Sequence, residues 1–207
     1  GGGNTTGLKD YYDFTQLVAR QDVVVVTVNY RLGALGWFTH PAIQGQQEGL
    51  DKTSNFGTLD IIESLKWVQK NIASFGGDAR NVTIFGESAG AHNTFALLAS
   101  PLSNGLFHKA ISQSGYTTSA PLEEAFNRNN GNPLVKRGSW QIVNKILENP
   151  QSQYSDSELR ERLKQMDAHE FIGLYHETEG YDAIPLTTID SLVIPKEGLL
   201  DSLGSAK

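Results

Sequence analysis

Cysteine is absent from this 207-residue sequence, and methionine occurs once, at Met166. Without thiols there is no disulfide framework and no thiolate metal site, although that leaves the compartment open. Positive charge is scarce as well: 17 Lys and Arg face 23 Asp and Glu, for a formal net charge of −6. No basic cluster interrupts this balance, which speaks against nucleic acid or an anionic membrane surface as a partner. Nor does any apolar run approach the ~20 residues that a membrane-spanning helix requires. There is no internal repeat, coiled-coil heptad or signal-peptide pattern. The chain starts on Gly1-Gly2-Gly3 rather than Met and closes on Leu203-Gly204-Ser205-Ala206-Lys207 without a capping pattern. We therefore expect a segment of a longer protein, for which a missing leader carries no information. The length suffices for one ordinary domain with a sizeable core.

What is present is organised around Gly86-Glu87-Ser88-Ala89-Gly90. Before it runs Val82-Thr83-Ile84-Phe85, which reads as a buried strand; after it, Ala91 to Ala99 reads as a helix stopped by Pro101. A serine nucleophile needs its Oγ lifted clear of the backbone, and a sharp strand-to-helix turn does this if its flanking residues are small. Glycines at both ends meet that need. The free N–H groups of the following helix point back at the turn, where negative charge develops on an attacked carbonyl. A bare G-x-S-x-G is a weak signal, because small-residue surface turns match it by chance. The flanking strand and helix favour the catalytic reading.

In chain order, Gly1-Gly2-Gly3-Asn4-Thr5-Thr6-Gly7 reads either as a flexible linker or as a second loop of bare N–H donors for an oxyanion. A phosphate cradle is discounted, since no Gly-Lys-Ser/Thr follows. Asp13 to Arg20 is a short helix, and Asp22 to Tyr30, rich in Val and without alternation, reads as a strand covered on both faces of a parallel sheet. Arg31 to Asn55 is loop-like. Ile61, Leu65, Val68 and Ile72 recur at helical spacing through Thr58 to Ser74, ending before Gly76-Gly77. Phe107 to Gly115 looks like a further strand. Strands alternating with helices indicate a parallel α/β sheet, whose ligands sit at the carboxyl ends of strands, where Ser88 falls. Beyond Gly115 the character changes. Pro121 to Pro133 is irregular, Trp140, Val143 and Leu147 mark a helix, and Ser155-x-x-Glu158 and Asp167-x-x-Glu170 are capping-box patterns opening two more. These helices, without intervening strands, are expected to form a cap, and Thr187 to Pro195 an extended return.

Several stretches together resemble one family: Gly1-Gly2-Gly3, Val26-Thr27-Val28-Asn29-Tyr30-Arg31-Leu32-Gly33, Trp67-Val68 with Asn71-Ile72, Phe75-Gly76-Gly77-Asp78, Val82 to Gly90, and Ser112-Gln113-Ser114-Gly115. The sequence is similar to the type B carboxylesterase and cholinesterase-like branch of the α/β-hydrolases. That resemblance implies a partial α/β-hydrolase fold with a mostly parallel sheet. It divides a single incomplete domain into a core segment at 1–118, a helical cap at 119–186 and a return segment at 187–207. It implies ester hydrolysis in two steps, with Ser88 as nucleophile forming an acyl-enzyme and the oxyanion held by the N–H groups of Gly2, Gly3 and Ala89. Glu87 matches the family's acidic residue before the serine, a supporting group outside the triad; the alternative is a hydrogen-bonded buried carboxylate. The expected partner is a small carboxylic ester, with no cofactor and no metal.

In the family the triad acid and histidine follow the serine at a distance beyond this chain, so the segment alone is expected to be inactive. Glu197-Gly198 imitates the family's acid but follows Pro195 without an intervening strand. None of His40, His92, His108, His169 and His176 matches the family's histidine; packing or surface roles are preferred, and no HExxH spacing suggests zinc. Asn4-Thr5-Thr6 and Asn81-Val82-Thr83 match the glycosylation pattern by chance. Competing readings are a non-catalytic adhesion module on the same fold, although such relatives typically lose the serine, and hydrolysis of a thioester or amide. A nucleotide-binding domain using the opening glycines is poor for want of the lysine. Acyl and alcohol preference, oligomeric state and compartment are not encoded legibly.

Overall fold

The structure, a computed structural model, describes residues 4, 7, 12–128, 138–176 and 187–204. Its centre is a strand–helix–strand unit. Strand β1 (Thr83–Glu87) runs into helix α5 (Ala89–Ala99), and the chain returns as β2 (Lys109–Gln113), parallel to β1 with Thr83 opposite Lys109 and Glu87 opposite Gln113. Parallel neighbours need a crossover of this kind, and the alanine- and leucine-rich α5 supplies it. Preceding β1 is α4 (Phe56–Asn71), which tightens into a 3₁₀ turn over Ile72–Phe75. It stops at Gly76, whose left-handed φ of 83° lets Gly77 N–H reach back to the Ile72 carbonyl at 3.0 Å. The core gathers Ile62 and Leu65 of α4, Ile84 of β1, Ala96 and Leu97 of α5, and Val193, Ile194 and Leu199 from the end of the chain. Leu199 belongs to a terminal helix, Gly198–Gly204.

Two polar side chains, the buried Asn55 and the half-buried Asp190, weld that terminal stretch to the segment before α4. Asn55 imitates a strand edge: its Nδ2 donates to the Thr188 carbonyl at 2.9 Å and its Oδ1 accepts the Thr188 N–H at 3.0 Å. Asp190 Oδ1 accepts the N–H groups of Leu192, Val193 and Ile194 at 3.0, 2.9 and 3.0 Å, while its Oδ2 accepts from Thr53 and from Asn55. These bonds turn the chain sharply and drive Val193 and Ile194 into the core. The adjoining pair Thr188–Ile189 lies parallel to Ala120–Pro121 as a second short ladder.

Between these regions lies a helical group. Helix α1 (Thr15–Arg20) lies early in the chain; in this group α2 (Gly33–Trp37) and α3 (Pro41–Gln44) precede α4, and the later sequence contributes α6 (Leu122–Phe126), α7 (Ser139–Asn144), α8 (Asp156–Gln165) and α9 (Ala168–His176). The capping box at Ser155 forms as expected, with Ser155 accepting from Glu158 N–H and Glu158 from Ser155 N–H. At α9 the cap is the Asp167 carboxylate, accepting from the N–H groups of His169 and Glu170 at 2.9 and 3.2 Å. Ala42, Val143 and Leu159 form a satellite core here, and Phe171 meets Phe38 edge-on at 5.1 Å.

Several expectations are corrected. Asp22 to Tyr30 joins no ladder among the described residues, and Val23, Val24 and Val26 are exposed. A β-branched run favours extended backbone, but a strand needs an adjacent edge, and a cleft separates this run from β1. For the same reason β1 is not buried on both faces: Ile84 points into the core while Thr83, Phe85 and Glu87 lie on an open face. Arg31 to Asn55 is not simply loop, since it holds α2, α3 and a 3₁₀ turn at Gly49–Lys52. On α4 it is Ile62, 1% exposed, that enters the core, with Ile61 only packed against it. Leu147 falls beyond the end of α7.

Candidate active site

Ser88 is the hinge between β1 and α5. Its backbone takes φ 54° and ψ −115°, a combination that an L side chain rarely adopts. The turn is held at both ends: Ser88 N–H donates to the Gln113 carbonyl of β2 at 2.9 Å, and the Ser88 carbonyl accepts His92 N–H at 3.0 Å. Gly86 makes the turn possible. A Cβ there would overlap the carbonyl carbon and oxygen of Gly90 and lie 2.9 Å from the Ala91 nitrogen. Gly90 is different, because a Cβ on it would meet nothing within 4 Å. The expectation that both glycines are demanded by close packing is therefore met at Gly86 and not at Gly90.

Ala89 is fully buried as the first residue of an 11-residue helix, so its N–H has no intrahelical acceptor and stands at the positive end of the helix dipole. Gly2 and Gly3 lie outside the described residues. Their neighbour Asn4 is described, at φ 63° and 6% exposed. Asn93 Nδ2 on α5 donates to Asn4 Oδ1 at 2.9 Å, Asn4 Nδ2 returns to Asn93 Oδ1 at 3.4 Å, and Tyr30 Oη donates to Asn4 Oδ1 at 3.2 Å. Burial raises the Tyr30 phenol above its ordinary pKa, keeping it a donor. This junction escaped the sequence reading, since nothing local announces a pairing 89 residues apart. It also makes Asn4 a poor glycosylation acceptor; Asn81, by contrast, is exposed, with Lys109 Nζ on its Oδ1 at 2.7 Å.

Glu87 is exposed at the end of β1, so the alternative of a buried carboxylate is not what forms: period-two alternation puts it on the open face with Thr83 and Phe85. No described residue hydrogen-bonds its carboxylate, and none hydrogen-bonds Ser88 Oγ. The histidines are engaged elsewhere. His92 is buried and stacked on Tyr116 at 4.2 Å, its Nδ1–H donating to the Tyr116 carbonyl and its Nε2 facing Thr187 Oγ1, each at 2.7 Å. His40 Nδ1 accepts Ala42 N–H at 3.1 Å and its Nε2 faces Gln151 Oε1 at 3.0 Å. Burial lowers the pKa of both rings. His108 accepts Val82 N–H at 3.2 Å and is exposed, as is His169. His176 closes α9, and its side chain is outside the described residues. Glu197 is exposed and pairs with Lys196 at 3.8 Å. No group of three or more metal-ligating side chains occurs among the described residues, and no described helix is long and apolar enough to cross a membrane.

A cleft of about 1290 Å³ opens beside this turn, passing Glu87, Gly90 and Asn93. Most of its wall is apolar and belongs to the unpaired 22–30 run, to Phe85 and Ile111 of the strands, and to Leu65 and Val68 of α4. Ser88 is not part of that wall. The cleft is thus a gap alongside the sheet, distinct from a pocket centred on the hydroxyl.

The sequence model of the carboxylesterase family matches residues 1–201. Carboxylesterase 1D of Rattus norvegicus is 37% identical over 197 residues, covering 95% of this chain and 34% of that protein. Human carboxylesterase 3 is 38% identical over 197 residues, covering 95% and 31%. A cocaine esterase of Oryctolagus cuniculus reaches 52% over 114 residues, 55% of this chain and 20% of that protein. Among solved structures, a PNB esterase superposes with a TM-score of 0.76 at 31% identity over 100% of this chain and 39% of that one. The Geobacillus stearothermophilus carboxylesterase EST55 gives 0.76 at 32%, over 98% and 39%. These neighbours are α/β-hydrolase esterases, and the two parallel ladders with flanking helices are part of that α/β fold. The chain spans about a third of the length of the curated relatives it matches.

Proposed function

Since this chain belongs to the carboxylesterase family, we propose that it carries the nucleophile and oxyanion-binding half of a carboxylic ester hydrolase. The observation that supports this best is the backbone of Ser88: an unfavourable φ, held by neighbours on both sides and made possible by Gly86, at the mouth of a helix. In this reading Ser88 Oγ attacks the ester carbonyl while its proton passes to a histidine. The carbonyl oxygen takes up the electron pair and is received by Ala89 N–H and by the amides of Gly2 and Gly3. Collapse expels the alcohol, which recovers the proton, and water then releases the acid from the acyl-serine by the same steps. Glu87 acts as a supporting carboxylate. The general base and its acid partner are supplied from outside residues 1–207, a reading favoured by the short span against the relatives and by the engagement of His40 and His92 elsewhere.

The test is covalent. A fluorophosphonate is expected to label Ser88 in the protein that carries this sequence, and Ser88→Ala to abolish both labelling and turnover of a small chromogenic ester. The 207 residues alone are expected not to turn over. An unlabelled Ser88 in the longer protein would favour the adhesion reading instead.

A further inference from the structure

Ser88 has a strained neighbour at this end of the sheet. Glu87 of β1 stands opposite Gln113 of β2, and the next residue on each strand, Ser88 and Ser114, takes a positive φ, of 54° and 55°. Such backbone is costly for a residue with a Cβ and persists only where its surroundings fix it. Ser88 is fixed through Gln113 and His92. The stretch after β2 has less to hold it: among the described residues the backbone of 114–119 finds a single hydrogen-bond partner, His92, whose Nδ1 meets the Tyr116 carbonyl at 2.7 Å. A carbonyl can only accept, so the hydrogen is on Nδ1 and Nε2 is left to accept from Thr187 Oγ1. The ring is 2% exposed and lies flat on Tyr116, so it cannot swing away. His92 also gives its backbone N–H to the Ser88 carbonyl. One residue thus touches the strained serine through its main chain and the exit of β2 through its side chain. Gly115 completes the contact, since a Cβ there would lie 2.8 Å from Phe95 Cε2 and 2.9 Å from Ala91 Cβ, both on α5.

We propose that His92 is a positioning residue for the nucleophile: its Nδ1–H bond to the Tyr116 carbonyl braces the first turn of α5 against the exit of β2 and so keeps Ser88 in its reactive setting. The need for a brace follows from the strain. The Gln113 carbonyl, which receives Ser88 N–H, belongs to the peptide unit that leads into Ser114. Without the brace, Ser114 relaxes toward negative φ, that carbonyl turns with it, and the serine turn loses one of its two holds. A displacement of about 1 Å at a nucleophile costs roughly 100-fold in rate. The inference rests on the esterase reading, because without chemistry at Ser88 the brace would be packing alone.

The experiment uses the intact protein carrying this sequence, with rates normalised to phosphonate-titratable serine. The amide nitrogen of asparagine and Nδ1 of histidine are equally far along the side chain, so His92→Asn keeps the donor to Tyr116 and gives up the rest of the ring. The amide of glutamine stands one bond further out, so His92→Gln fills more of the space and faces Thr187 in place of Tyr116. His92→Leu fills the space with no polar group. A packing role would rank Gln and Leu above Asn, which leaves the largest void; the brace ranks them the other way. His92→Asn is expected to keep kcat on a chromogenic ester within fivefold of wild type, although its void should put its urea midpoint below that of His92→Gln. Gln and Leu are each expected to lower kcat 10- to 100-fold with KM within threefold, and to slow phosphonylation of Ser88 in parallel. If His92→Leu does not fold, the comparison of Asn with Gln carries the test. The inference is overturned if His92→Gln keeps kcat within fivefold, if His92→Asn is as slow as His92→Gln, or if KM rises while kcat holds. A wild-type protein that neither labels nor turns over would instead bring down the esterase reading itself.

Discussion

Gly86→Ala isolates the role of the serine turn. The added Cβ would overlap the Gly90 carbonyl and sit 2.9 Å from the Ala91 nitrogen, and these are backbone atoms of α5 that no rotamer change can move aside. Either α5 slides away from β1 or the turn opens. Overpacking of this kind costs about 1–3 kcal/mol. A comparable cost without a comparable site is available at Gly57, where a Cβ would overlap the ring of the buried Trp37 and lie 2.6 Å from its Cζ2. Trp37 also donates its indole N–H to Thr58 Oγ1 at 3.3 Å, so it cannot yield freely. Both variants should therefore lower the urea midpoint by similar amounts. They should differ in reactivity: a shift of about 1 Å between Ser88 and the amides of α5 corresponds to roughly 100-fold in rate. The assay is the rate of Ser88 phosphonylation per folded molecule, with urea unfolding on the same samples. Gly86→Ala is expected to be slowed about 100-fold and Gly57→Ala less than threefold. Equal rates in the two variants would refute the argument that the glycine sets the geometry of the nucleophile.

Ser88→Gly and Ser88→Ala should both abolish labelling, yet the glycine variant should be about 1 kcal/mol the more stable in thermal unfolding, because φ 54° is costly only for a residue with a Cβ; equal stabilities would exclude strain at the turn. His40 and His92 are both held neutral by burial, which outweighs the hydrogen bonds favouring their charged forms. The unfolded chain titrates them near pH 6.5 and so binds more protons below that value. Their contribution is thus full above about pH 6.5 and is lost as the pH falls toward the depressed folded values. A melting temperature that declines between pH 6.5 and 5, and declines less in the His40→Gln/His92→Gln double variant, is expected; an unchanged slope would contradict it. Ser155→Ala breaks the capping box of α8 and should cost about 1 kcal/mol while leaving Ser88 labelling untouched. A change in labelling would mean that α8 is coupled to the turn.

The local elements were written in the sequence because each is decided by residues within a few positions of one another. Gly86 to Gly90 encodes its own strand-to-helix turn, Gly76 its own helix stop, and Ser155 with Glu158 its own cap. Family membership was legible for the same reason, being carried by short contiguous motifs. What only the tertiary structure decided depends on partners remote in the chain. The valines of 22–30 have the composition of a buried strand, yet burial requires edges and faces that a segment cannot supply to itself, and here a cleft stands beside them. The joining of Asn55 and Asp190 across more than 130 residues, and of Asn4 and Asn93 across 89, leaves no periodic trace, because a single amide or carboxylate reads as an ordinary polar residue until folding brings its partner within 3 Å. Pattern specifies where the chain turns; only proximity specifies which polar groups are worth burying.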